Sequence, residues 1–237
     1  MRLDRYLSES GLFTRREAVK LIRSGGVTVD GAVLKDPAAK IDECRAEVSA
    51  AGRPVGYTRF RWIMLNKPAD TVSTTDGDPR SVLNLLPPEY RAVGLFPCGR
   101  LDADTTGLLL LTNDGATAHN LLSPRRHCEK TYRFSCLPIS EEQRRKLEGG
   151  VELSDFTSKP CRVVPDDPEH GEITVTEGKY HQIKRMFQAV GSEILSLERI
   201  AFGGLPLDPA LARGEWRLLT DEEIKILEAN GGQDAQD

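Results

Sequence analysis

The spacing of apolar residues changes register several times along the chain, and each change marks an element. Leu3, Tyr6 and Leu7 recur at helical spacing. After Gly11 a second helix is predicted, with Thr14 as its N-cap, Glu17 completing a capping box, and Ala18, Leu21 and Ile22 facing inward. Gly25-Gly26 ends it, and Val27, Val29 and Val33 around Asp30-Gly31 read as a tight hairpin. Residues 49–61 hold two glycines and a proline without periodicity, which predicts a linker.

Beyond it the pattern alternates between strand and helix without a repeating unit. Strands are predicted at 62–65, ending in Asn66-Lys67-Pro68, and around 108–111, 130–134, 159–164, 172–176 and 193–202. Helices are predicted at 81–86, closed by Pro87-Pro88, and at 116–122, 140–147 and 181–190. In the last of these Ile183, Met186, Phe187 and Val190 make one face. Thr220 caps a final helix, and from Gly231 the chain reads as a frayed, disordered tail. The expected class is α+β: a small helix-helix-hairpin domain over 1–58, linker included, and a larger domain over 59–230. The larger domain is expected to hold a mixed, mainly antiparallel sheet with a central cleft.

Composition narrows the partners. The 237 residues are 39% hydrophobic and 29% charged, with no apolar run near a bilayer's length and no secretory leader at the amino terminus. The five cysteines are odd in number and never in a Cys-x-x-Cys pair, as expected of reduced core thiols in a cytoplasmic protein. A net charge of −4 argues against a polyanion as partner until its distribution is read. Arg2, Arg5, Arg15, Arg16, Lys20 and Arg23 exceed Asp4, Glu9 and Glu17 by three charges in the first 24 residues, whereas the carboxyl end is acidic. That asymmetry predicts a cationic docking surface at one end.

The candidate chemistry lies in the stretch from Gly99 to Thr112, where Arg100, Asp102 and Asp104 sit on a turn that opens into Leu108–Leu111. Taken singly, each residue has an ordinary structural account: Asp102 as a turn carboxylate paired with Arg100, Tyr132 as a core aromatic, Lys184 as a solvated helix lysine. None of the four histidines has metal-ligand spacing, and there is no P-loop, dinucleotide fingerprint or nucleophile elbow.

Taken together, the segments carry a resemblance. Residues 1–48 resemble the small alpha-L RNA-binding domain. Asn66-Lys67-Pro68, Gly-Arg-Leu-Asp-Ala-Asp-Thr-Thr-Gly-Leu at 99–108, Lys130-Thr131-Tyr132 and Glu-Gly-Lys-Tyr-His-Gln-Ile-Lys-Arg at 177–185 resemble, in order and wording, the pseudouridine synthases, and within them the RsuA branch. The resemblance implies an isomerase that converts a uridine of small-subunit (16S) ribosomal RNA to pseudouridine, free or in a protein-bound assembly particle, as a cytoplasmic monomer without metal or cofactor. By the same resemblance Asp102 is the catalytic aspartate, Tyr132 stacks on the base and Lys184 pairs with the aspartate. Arg100, Lys67, Thr105 and Ile183 are expected on the substrate side, and Arg2, Arg5, Arg15, Arg16, Lys20 and Arg23 on RNA. Asp104 is left a turn role or a supporting role beside the aspartate. The chain departs from the family pattern at Asp70, where glycine is usual, and at Lys184, where many relatives have arginine. Two other readings stay open: a carboxylate-dependent nucleoside or glycoside hydrolase using Asp102 and Asp104, and a non-catalytic RNA-binding assembly factor. Attack on C1′ by the carboxylate and proton abstraction to a glycal are equally open.

Overall fold

The structure, a computed structural model, describes residues 1–43, 45–56, 60–91 and 93–232. The chain divides into two compact units, one of residues 1–61 with 86–95 and one of 62–85 with the chain from 96 onward.

In the first unit, α1 (Leu3–Glu9) and α2 (Arg15–Arg23) bury Leu3, Tyr6, Leu7, Ala18 and Ile22 together. The capping box at Thr14 and Glu17 is formed in both directions. Strands β1 (Val27–Val29) and β2 (Ala32–Val33) make the hairpin, with Asp30 and Gly31 both at positive φ, as a two-residue turn between twisted strands requires. The first residues of the expected linker form a second hairpin instead. Strands β3 (Val48–Ala50) and β4 (Arg53–Pro54) turn through Ala51 and Gly52, also both at positive φ, and extend the sheet to the order β2-β1-β3-β4. Val48, Ala50 and Val55 are buried and the Tyr6 hydroxyl donates to the Val55 carbonyl, so this segment closes the core. Its strands are too short for periodicity to register. Pro88 opens a single turn, α3 (Pro88–Arg91), as proline can at a first helical position, rather than ending one. Cys44 and residues 57–59 of the expected linker lie outside the described residues.

The second unit is a sheet of nine strands among the described residues, all antiparallel but for one pair. Its strands are β5 (Trp62–Lys67), β6 (Phe96–Pro97), β7 (Thr106–Thr112), β8 (Lys130–Cys136), β9 (Arg162–Pro165), β10 (His170–Val175), β11 (Ile194–Phe202), β12 (Leu205–Pro206) and β13 (Trp216–Leu218). The main order is β13-β5-β7-β11-β8-β10-β9, with β6 on β7 and β12 on β11; β7 and β11 run parallel. The run 82–85 is a 3-10 turn. Helices α4 (Gly115–Leu122), α5 (Glu141–Gly149), α6 (Gln182–Ala189) and α7 (Asp221–Gly232) complete the unit. Asp114, Ser140 and Thr220 cap α4, α5 and α7 by accepting from the backbone of the first turn. Ala118, Leu121 and Leu227 of α4 and α7 pack on Trp62, Met64, Leu108, Leu110 and Phe202. Helix α6 is anchored by Met186 and Phe187, both fully buried, the latter edge-on to Phe134 at 5.0 Å. Helix α7 runs to Gly232, past Gly231, the start of the expected tail; residues 233–237 lie outside the described residues. Among the described residues no helix is long and apolar enough to cross a membrane.

Candidate active site

The loop between β6 and β7 is held at both ends of its charged turn. Lys67, at the end of β5, is fully buried, and its ammonium donates to the carbonyls of Pro68, Ala103 and Thr105 at 3.0, 3.1 and 2.9 Å. Burial pushes its pKa down to about 8, against the pull of Asp104, Asp102 and Asp70. Lys67 therefore pins the loop from below, and it does not line the pocket above it. The Ser73 hydroxyl bridges the backbone of Leu101 as donor and acceptor, and the Asp70 amide donates to the Ala103 carbonyl at 2.9 Å. Asp70 makes that contact at φ 61. The position needs the left-handed region, which explains a glycine preference there, and aspartate is among the side chains that tolerate it.

Above this frame Asp102 is offered to α6. One carboxylate oxygen lies 3.2 Å from the Lys184 ammonium and the other 3.5 Å from His181 Nε2. Lys184 also donates to Asp104 at 2.6 Å, so it bridges both loop carboxylates. Partial burial works against the Lys184 charge. The hydrogen bond to Asp104 and the attraction of Asp102 outweigh it and hold the ammonium above the usual lysine range. The hydrogen bond from Lys184 holds Asp104 below the usual carboxylate range. Lysine suits this arrangement, because its point charge can serve two carboxylates at once.

The pocket over Asp102 is lined by Arg100, Thr105, Tyr132, His181, Ile183 and Lys184, among others. Tyr132 is buried on β8, opposite Arg199 of β11 in the ladder. Arg199 is itself buried, donating to the Leu108 carbonyl at 2.7 Å with its guanidinium over Phe202. The Thr105 hydroxyl is buried at the pocket wall without a hydrogen-bond partner among the described residues. Glu177 orders the entry to α6, accepting from the Lys159 amide and from Gln182.

Of the residues expected on RNA, Arg2 and Arg15 are drawn to Asp4, and Arg5 to Glu9. Arg16, Lys20 and Arg23 are exposed on α2 with no ion-pair partner among the described residues. Sequence reasoning passed over His181 and Arg199. His181 lies three residues before Lys184, the spacing that puts two side chains on one helical face, and that was the available signal. Arg199 has no signal short of the β7 to β11 pairing.

Residues 61–189 match the RNA pseudouridylate synthase family, and residues 1–45 match the S4 domain. The chain is 44% identical over 234 residues to an uncharacterized RNA pseudouridine synthase of Bacillus subtilis, covering 96% of this chain and 98% of that protein. It is 42% identical over 230 residues to the ribosomal small subunit pseudouridine synthase A of Escherichia coli, covering 94% of this chain and 98% of that protein. A pseudouridylate synthase crystal structure is similar at a TM-score of 0.68 and 35% identity, over 96% of this chain and 99% of that one.

Proposed function

The chain belongs to the RNA pseudouridylate synthase family, and on that premise we propose that it isomerises a uridine of small-subunit ribosomal RNA with Asp102 as the catalytic carboxylate. The observation that carries the assignment is the setting of Asp102, one oxygen toward Lys184 and the other toward His181, at a pocket walled by Tyr132. Isomerisation breaks the bond from N1 to C1′, turns the base and joins C5 to C1′. It needs an ionised carboxylate at C1′ and a surface that holds a free base without fixing its in-plane orientation. Lys184 sets a positive charge 3.2 Å from that carboxylate, and Tyr132 can stack. The hydrolase alternative is less well served. An acid and base pair needs one carboxyl kept protonated near neutrality, whereas Lys184 holds Asp104 below the usual range. A pure binding factor would have no use for the buried Lys67 frame that offers Asp102 to the pocket.

In this reading the enzyme works in the cytoplasm, as a monomer and without a cofactor, and the first unit supplies docking. Extruding a nucleotide costs roughly a few kcal/mol, which phosphate contacts elsewhere can offset. Chemical mapping of pseudouridine in small-subunit RNA, free and as an assembling particle, tests the function. One new pseudouridine with unchanged RNA mass is expected, and release of free uracil would instead indicate hydrolysis. Replacing Arg16, Lys20 and Arg23 together by glutamine is expected to weaken RNA binding. The slope of log K against log salt should become shallower by about one for each phosphate that the variant no longer neutralises. Titrations at several salt concentrations read this directly, and an unchanged slope would remove α2 from the docking surface.

A further inference from the structure

One proton must move that neither Asp102 nor Lys184 is suited to move. When C5 joins C1′ it still carries its hydrogen. Loss of that proton lets its electron pair form the C5–C6 double bond, the C6–N1 pair returns to N1, and N1 takes up a proton. Nothing is oxidised, and the net change is one proton from C5 to N1. Because C5 is then one bond from C1′, the base that takes the proton must stand beside Asp102.

The groups there can be taken in turn. Lys184, Lys179 and Arg100 are cations and carry no free pair at neutral pH. One oxygen of Glu177 accepts from the Lys159 amide and from Gln182, and one oxygen of Asp104 accepts from Lys184. Carboxylates as a class are also weaker bases than imidazole by two or more pH units. Tyr132 offers a phenol, which accepts a proton readily only when ionised. His181 remains: its Nε2 is 3.5 Å from an oxygen of Asp102, it lines the same pocket, and its side chain is 39% exposed, which gives a proton a way out to water.

Its placement is also built. His181 stands at φ 48 and ψ 31 at the start of α6, a left-handed conformation that is uncommon for a residue other than glycine. The Tyr180 ring stacks on the imidazole at 3.8 Å. Imidazole both accepts and returns a proton near neutral pH.

We propose that His181 is a further catalytic residue of this site, taking the proton that leaves C5 of the rotated uracil. The assignment rests on the pseudouridine synthase reading above. The proton passes from C5 to Nε2, and N1 is protonated from the imidazolium or from water.

The test uses the full-length protein and small-subunit RNA carrying 5-tritiated uridine, with tritium release followed in single turnover. Asparagine and glycine both tolerate positive φ, so His181→Asn and His181→Gly preserve the backbone. The expected result for His181→Asn is a loss of about 10²- to 10⁴-fold in release with RNA affinity unchanged. The wild-type rate should rise with pH, since only the neutral ring accepts, and that limb should vanish in the variant. With 5-deuterated uridine the isotope effect should grow in the variant, and added imidazole should restore part of the His181→Gly rate. An active wild type beside a His181→Asn variant of equal rate and pH profile overturns the assignment alone. A wild type that releases no tritium overturns the parent reading, and this one with it.

Discussion

Asp102→Asn is expected to abolish pseudouridine formation, lowering the single-turnover rate by on the order of 10⁴ or more, which is at least about 5.5 kcal/mol of transition-state stabilisation. The substitution keeps the shape and removes the charge that both open routes at C1′ require. The fold should be nearly indifferent to it. Asp102 is partly exposed, and Lys184 keeps its 2.6 Å bond to Asp104, so stability is expected to change by less than about 1 kcal/mol. RNA affinity should stay close to that of the wild type. Asp104→Asn separates the two loop carboxylates. It loosens Lys184 without removing the reacting group, and a loss of about tenfold is expected. Tritium release from 5-tritiated uridine reads both variants on one scale. Turnover by Asp102→Asn within tenfold of wild type would overturn the assignment of the catalytic carboxylate.

The second large effect is on folding. Gly107 sits at φ 96 in β7, beside Arg199 in the parallel pair with β11. A Cβ placed there would lie 2.3 Å from the Arg199 carbonyl oxygen and 2.9 Å from its nitrogen. Both are backbone atoms inside a sheet and cannot retreat as a flexible side chain would. Gly107→Ala combines unfavourable backbone conformation with overpacking and is expected to cost about 3–5 kcal/mol. In a chain of this size that lowers Tm by roughly 10 °C. Gly115→Ala is the control: Gly115 is in the first turn of α4 at ordinary φ with no atom within 4 Å of the added methyl, so its Tm should hold or rise slightly. Scanning calorimetry of the two variants decides the matter, and equal Tm values would show that the strand pair opens freely.

Much of the architecture is legible along the chain because it is written in short-range chemistry. The Thr14, Ser140 and Thr220 caps, the Asp30-Gly31 turn and the apolar face of α6 each depend on residues within about four positions of one another. The same holds for the motifs. Asp102, Tyr132 and Lys184 stand in recognisable wording, and the pocket brings them together. The second hairpin of the first unit escaped because two- and three-residue strands carry no period, and the glycine of its turn looks the same in a linker as in a turn.

By itself, then, the sequence determined the family, the class of fold, the order of the longer elements and three residues on which to place the chemistry. The tertiary structure decided which side chains meet across long separations. Lys184 reaches Asp104 over 80 positions, Arg199 reaches the Leu108 carbonyl over 91, and Lys67 holds the loop of Ala103 and Thr105 from below, outside the pocket lining. It also decided that Asp70 takes the backbone region glycine favours, and that His181 turns its ring toward Asp102. Local patterns are set by neighbours within a turn of helix or a pleat of strand. Contacts such as these are set by which strand lies beside which, and that pairing is a property of the whole core.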